Sequence, residues 1–535
     1  MRVTALMEGS TRGAGRSIPE PAPAQGDSPP VSTGGWDAFS PINNMPPENA
    51  IELVNWFPQP GWVELRKGFL NHSDTDVTDP VESLMAYQGE TVASPRLFGA
   101  AGTVIYDVTG ASGSSSQTGL TNARWQHVNF ATSGGHFLWI CNGDDTPRFW
   151  DGAAWANAVI TGVTPEDIIQ CAIYRNRIWG VLKDSTTACY LPLDSVQGAA
   201  TTLELGGYFM KGGHLVAIAT WSSDVNYGTN EYIVFISSFG EAAIFLIYDP
   251  TAPEGFAYRG TSSLGSPIGR RCFCRMGADL GVITIDGVYP LSKIVSYDRA
   301  ATASLALTAK IMHAMSQAAT DFSEQFGWQL IAYPRGNMAI LNVPNVEGAI
   351  QEQFVMNTIT GSWCKFTGQN ANCWETFDNL LYFGGNDGIV RLADAAAGDE
   401  DAILEADMQC AYNYYQARGR NKRWTTLRPL VSKDTSFPAD LQVGLSIDFE
   451  TNDALDDVFT ASLSEGAVWD DPDTLWDEAM WPGIVTEAKW VAVSGIGYCA
   501  SIRMKISVPW DVSLTAPQTL RVNGFDILYD FGAFI

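Results

Sequence analysis

DNLLYFGGNDGIVRLAD, residues 378–394, places two short apolar runs, Leu380–Phe383 and Ile389–Leu392, on either side of Gly384-Gly385-Asn386-Asp387-Gly388. Glycine and asparagine supply the positive φ that a tight reversal needs. The flanking residues fit a pleated, half-buried surface, so the stretch predicts a β-hairpin. It is not read as a phosphate loop, because neither a helix nor a lysine follows the glycines. Weaker copies recur upstream. Apolar strands begin near Leu97, Phe137, Arg177, Tyr232, Leu280, Met338 and Leu380, spaced 40 to 58 residues apart. Repeats of roughly 40–50 residues with one Gly/aromatic hairpin each are the pattern of propeller blades. Trp150-Asp151-Gly152 ahead of Trp155, and Asn357 to Gly361 ahead of Trp363, add a polar turn before a Trp. WD40 and kelch consensus motifs are missing. We expect an all-β chain in which residues 36–410 form an irregular β-propeller of six or seven degenerate blades. An irregular set of antiparallel sheets is the alternative.

Three segments depart from this pattern. Residues 1–35 are small, polar and proline-rich, the composition of an extended N-terminal arm, which a neighbouring subunit would hold in place. Asn43–Phe69 is punctuated by Pro46, Pro47, Pro58 and Pro60. It carries the bulky Trp56, Phe57, Trp62 and Phe69, with Val63 and Leu65 alternating against Glu64 and Arg66, so it reads as the first strand entering the β-domain. Ala301–Phe322 is rich in Ala and Met; Leu307, Ile311, Met315 and Ala318 fall on one helical face, predicting an inserted helix that packs across a blade or meets a neighbour. Beyond a boundary near residues 408–416 the alternation becomes strict. Leu441, Val443, Leu445, Ile447 and Phe449 share one face, as do Ile502, Met504, Ile506 and Val508, and then Phe525, Ile527 and Tyr529. Period-two strands with one polar face predict a C-terminal antiparallel β-sandwich over 411–535.

Composition narrows the function classes. The chain has 535 residues, 46% of them hydrophobic, and a formal net charge of −27, which argues against a surface that coats DNA or a membrane. An acidic lining does suit DNA that must slide past without sticking; solubility is the plainer use of the same charge. Nine cysteines, an odd count without framework spacing, predict buried, reduced thiols. Cys272 and Cys274 form the one close pair, without further ligands at zinc spacing. Met1–Pro30 lacks the apolar core of a secretory signal, and the longest apolar run, Ala242–Tyr248, is too short to cross a bilayer, so a soluble protein is expected.

The search for chemistry returns little. Neither a Gly-x-Ser-x-Gly elbow, a Walker loop nor a His-Glu-x-x-His motif is present. Asp470, Asp471, Asp473, Asp477 and Glu478 gather hard oxygen ligands, but without EF-hand spacing, and a solvated acidic loop is the bland equivalent. Scattered carboxylates leave a glycosidase pair open. A basic cluster, Arg418, Arg420, Lys422 and Arg423, followed by Trp424 and Arg428, stands against the acidic background. On a strand, residues 418, 420 and 422 share a face. That stripe suits an acidic neighbouring subunit or DNA phosphates, or else guards a solvated strand edge.

Two stretches give the chain a resemblance. Asn55-Trp56-Phe57-Pro58 followed by Val63-Glu64-Leu65-Arg66-Lys67-Gly68-Phe69, and VWDDPDTLWDEAMW at 468–481 with Trp469, Trp476 and Trp481, resemble tail nozzle proteins of short-tailed bacteriophages, also called tail tubular protein B or packaged-DNA stabilisation protein. Asp286-Gly-Val-Tyr-Pro-Leu-Ser-Lys293 adds to the likeness. The resemblance implies a non-enzymatic hexamer without catalytic, cofactor or metal residues. It would be assembled in the host cytoplasm and carried in the virion tail. The ring would continue the DNA channel below the portal and adaptor, contact tail fibre or spike proteins, retain packaged DNA and let it exit on infection. Trp56, Phe57, Trp62, Trp469, Trp476 and Trp481 are then candidate interface aromatics. A receptor-binding or fibre-attachment adaptor and a propeller glycosidase acting on surface polysaccharide are the rival expectations.

Overall fold

A computed structural model describes residues 25–532 except 92–93, 226–227, 253–254, 278, 297–304, 435–436, 438–439, 451–454, 460–483 and 512–514. The deciding stretch is two strands, Leu380–Gly384 and Ile389–Ala396, paired antiparallel. Its turn is over-determined. Gly388 has φ +78° and a Cβ there would lie 1.8 Å from the Val77 carbonyl oxygen, so only glycine fits. Arg391 grips Asp387 through two hydrogen bonds of 2.9 and 2.6 Å, and Asn386 donates to the Ala349 carbonyl. The same hairpin strand also begins in a reversal. Asp378 and Asn379, at φ 50° and 58°, join it to Cys373–Phe377, and Arg175-Asn176 repeat that geometry between Ile168–Tyr174 and Arg177–Leu182.

Seven such sheets follow one another, and each is a blade. Blade one runs Val81–Tyr87, Arg96–Ala101, Val104–Asp107 and Ser114–Gln117. Blade two starts at Gln126–Thr132, blade three at Ile168–Tyr174 and blade four at Leu215–Val225, each with four antiparallel strands. Blade five has three, from Phe273–Met276 to Gly287–Pro290; blade six starts at Gln329–Tyr333 and blade seven at Cys373–Phe377. The seven strand starts expected from sequence all fall on, or within five residues of, the second strand of a blade.

First strands of successive blades touch, save that the first strand of blade four meets Asp279–Thr284, the second strand of blade five, and Cys373–Phe377 of blade seven closes onto Val81–Tyr87 of blade one. Apolar side chains fill the wedge between neighbours, with Trp139, Trp179 and Trp374 among the largest fully buried. Polar side chains staple one inner strand to the next. Ser83 accepts from the Trp125 N–H at 2.8 Å, Gln170 accepts from the Ile218 N–H and donates to the Arg270 carbonyl, and Gln329 does both with the Trp374 backbone. These staples satisfy backbone groups of the inner strands with partners from the neighbouring blade.

The expected domain boundaries need correction. Among the described residues of the early chain, Gly68–Asp74 enters the propeller as the outermost strand of blade seven and pairs with Ile389–Ala396. Residues 49–65 instead build the sandwich. Asn49–Val54 pairs with Leu404–Cys410 in one sheet, and Trp56–Gln59 with Trp62–Leu65 joins Leu520–Phe531 in the other. Asn49–Val54 also pairs in parallel with the last strand of blade six, so propeller and sandwich share a continuous sheet. Gln25–Asp27, at this end of the arm, pairs with Leu520–Phe531 of its own chain; residues 1–24 lie outside the described residues.

The junction is pinned by a buried ion pair. Arg66 donates to both oxygens of Asp399 at 2.8 and 2.6 Å, to Asn55 Oδ1 and to the Thr367 carbonyl, with both charged side chains 1% exposed. Arg66 thus ties the early hairpin to blade six and to the chain leaving blade seven. The sandwich alternation is as expected for Leu441, Val443, Leu445, Ile502, Met504, Ile506, Val508, Phe525, Ile527 and Tyr529, all buried. Phe449 departs from it: the strand ends at Ile447, and Phe449, at φ 69°, turns out toward solvent. The inserted helix is Met312–Phe322, shorter than expected, and packs Ile311, Met315 and Ala318 against blades five and six. All nine cysteines are buried free thiols.

Candidate functional site

The basic cluster does not form a stripe. Lys422 opens a strand but is fully buried, and its ammonium donates to the carbonyls of Ala417, Arg420 and Tyr498 at 2.6, 3.2 and 2.9 Å. Burial pulls its pKa down. It is a clasp holding a turn, not a contact for DNA. Arg418 and Arg420 lie in that turn instead of on a strand, stacked over Tyr414 and Phe531 at 4.5 and 4.3 Å. Arg423 and Arg418 remain exposed. Among the candidate interface aromatics, Trp56 and Phe57 are core residues at 0% and 2% exposure. Consecutive residues are both buried because their strand is covered on one side by the sandwich and on the other by blade six. Trp62 is half-buried beneath the Arg521 guanidinium. Trp469, Trp476 and Trp481, like the acidic loop from Asp470 to Glu478, lie outside the described residues.

The site that the fold does assemble is on the propeller axis. A cavity of about 160 Å³ is lined by Gln126 and His127 of blade two, Gln170 of blade three, Arg271 and Phe273 at the start of blade five, Gln329 of blade six and Glu375 of blade seven. Arg271 reaches across the axis. Its Nη2 donates to the Glu82 carbonyl, Ser83 Oγ and the Trp125 carbonyl at 2.9, 2.7 and 3.2 Å. Opposite stand His127 Nε2 and Glu375 Oε2, 3.4 Å apart.

Burial dominates the electrostatics. It drives the Glu375 carboxyl up to about 7, partly opposed by the Thr376 N–H and by Arg271. Burial and the Arg271 charge drive His127 down to about 4. Near neutral pH the imidazole is therefore uncharged and the carboxyl is half-protonated, able to donate to His127 Nε2. The guanidinium keeps its charge, although burial pulls its pKa down.

One face of the disc opens toward this cavity through a depression of about 910 Å³ that shares Gln126 and Arg271 with it. Phe326, from the loop after the inserted helix, sits there between two guanidinium groups, 4.3 Å from Arg124 and 5.2 Å from Arg271. Arg124 is itself held by Glu82 and Glu347.

Sequence inspection stopped at Cys272 and Cys274 and passed over Arg270-Arg271 immediately before them. His127 and Glu375 carry no local signal, because 248 positions separate residues that only ring closure brings together. Glycosidases place two carboxylates roughly 5–10 Å apart; Glu375 is the single carboxylate lining the axial cavity among the described residues. Groups of three or more His, Cys, Asp or Glu that could hold a metal are absent among the described residues, and no helix there is long and apolar enough to cross a membrane.

No protein-family model matches the chain, and no curated protein matches it. Similar solved structures include BBS1N in complex with ARL6DN, at 11% identity and TM-score 0.37, covering 61% of this chain and 97% of that one. YCF48 bound to D1 peptide is another, at 10% identity and TM-score 0.35, covering 64% of this chain and 97% of that one.

Proposed function

We propose that this chain is a non-enzymatic structural subunit of a short-tailed phage tail. Six copies form a nozzle that continues the DNA channel below the portal and adaptor, retains packaged DNA and releases it on infection. The observation that carries this reading is a pair of apolar patches on different bodies of the molecule. On the rim of blade four, Tyr208, Met210, Phe239 and Tyr258 are exposed, Met210 at 95%, with the Tyr208 and Tyr258 rings 4.9 Å apart. On the sandwich, Ile496 and Tyr498 are exposed at the end of one strand, Ile496 at 69%, with Trp490 exposed at the strand's other end. Closed rings need two unlike surfaces per subunit, each covering the other's neighbour head to tail.

The shared sheet and the Arg66–Asp399 pair support the same reading, since a ring transmits its geometry only if its two bodies are rigidly joined. The net charge of −27 suits a bore past which DNA slides without ion pairing. Adaptor and fibre or spike proteins are the expected partners at the ends of such a ring. Met210→Asp and Ile496→Asp, one in each patch, test the reading by light scattering on the full chain. Each substitution alone should dissolve the hexamer to monomers. Wild-type protein that stays monomeric at tens of micromolar, or hexamers indifferent to both substitutions, would refute it.

A further inference from the structure

The axial cavity lies apart from the surface patches of the proposed ring. Arg271 spends Nη2 on three acceptors of blades one and two, while Nη1 is buried without a hydrogen-bond partner among the described residues. No carboxylate there forms an ion pair with it. Gln170 and Gln329 use their amides on the backbone, so they shape the cavity walls instead of competing for a guest. That leaves Arg271, His127, Glu375 and Gln126 as the groups able to turn toward one. A buried guanidinium nitrogen without a partner favours an oxygen anion that can accept its N–H groups. The volume, about 160 Å³, admits several waters, since each needs ~30 Å³, and falls short of the ~300 Å³ at which drug-sized pockets begin.

We propose that the propeller axis is a binding site for a small oxyanion, a tetrahedral one or a short carboxylate. The anion is held by Arg271, with His127 and the Glu375 carboxyl bonding its far side, and reaches the site through the depression flanked by Phe326 and Arg124. Six charged or titratable groups face the guest or its guanidinium: Arg271 ahead of blade five, His127 of blade two, Glu375 and Cys373 of blade seven and, beside Arg271, Glu82 of blade one with its partner Arg124. When Glu375 ionises it takes over the role of counter-ion, and the anion leaves.

Titration calorimetry of the full chain, with sulfate and separately with malonate at fixed ionic strength in chloride, tests this. Sulfate does not titrate between pH 6 and 8, so any change in its affinity belongs to the protein. Saturable one-to-one binding of at least one probe is expected at pH 6, weakening about tenfold by pH 8, with Glu375→Gln removing that weakening and Arg271→Lys abolishing binding. Which probe binds separates a tetrahedral guest from a carboxylate. Absence of saturable heat with both, an unchanged isotherm in Arg271→Lys, or a pH profile untouched by Glu375→Gln would overturn the proposal. The last comparison stands even if Arg271→Lys fails to fold.

Discussion

Glu375→Gln should make the protein more stable, and only above acid pH. The carboxyl sits at about 7 in the folded chain against 4.5 for an unburied glutamate. A raised carboxyl pKa means the folded state keeps a proton that the unfolded state has already released, so stability is full below pH 4.5 and falls as pH rises toward 7. The gap of about 2.5 units corresponds to roughly 3 kcal/mol, reached near pH 7 and constant beyond it. The side chain is 18% exposed, and that exposure is toward the axial cavity. Glutamine keeps the shape and a donor for His127 Nε2 but cannot ionise. Urea unfolding of wild type and variant between pH 5 and 8 reads the difference, with amide exchange in Cys373–Phe377 confirming that the step includes blade seven. The variant should gain about 0.8 kcal/mol at pH 5 and about 3 kcal/mol at pH 8. Parallel stability curves, or a gain that shrinks as pH rises, would refute the reasoning.

His127→Gln should show the opposite slope. Its folded pKa of about 4 lies below the usual 6.5, so wild type loses stability as pH falls from 6.5 toward 4, and the variant gains by up to about 3 kcal/mol over that window, read by the same unfolding series. Asp399→Ala strands the Arg66 guanidinium in a site where both partners are 1% exposed; a loss of about 3–5 kcal/mol is expected, with faster proteolysis between blade seven and the sandwich as the readout. Gly68→Ala drives a Cβ to 1.8 Å from the Gly398 carbonyl oxygen, so the strand Gly68–Asp74 should detach from blade seven, raising its amide exchange and costing about 1–3 kcal/mol. Lys422→Met leaves the carbonyls of Ala417, Arg420 and Tyr498 without their donor, for a loss of about 1–3 kcal/mol in urea unfolding and no change in the protein's retention on immobilised DNA.

What the sequence made legible was local. Hairpin chemistry repeats within a few residues, so Leu97, Arg177 or Leu380 could each announce a second strand without knowledge of the others. Strict alternation did the same for Leu441 to Leu445 and for Ile502 to Val508. Contacts between remote segments stayed hidden. Gly68–Asp74 and Asn49–Val54 are near neighbours in the chain yet end in different bodies, because the partner of one lies near residue 390 and the partner of the other near residue 408. Nothing within either strand states that. Alternation misled at Lys422, which looked like one tooth of a basic stripe until three convergent carbonyls made its burial tolerable. Trp56 and Phe57, expected at an interface from the resemblance, are both enclosed because two bodies cover their strand. Arg271, His127 and Glu375 come from three blades, and the axis is where they meet.

Single-particle electron microscopy of the purified full chain tests the central claim most directly. The account predicts six-fold class averages around an open or plugged axis, with blade four of each subunit against the sandwich of the next. Averages of solitary discs at every concentration examined, or a two-fold dimer that buries the same patch on both subunits, would contradict it.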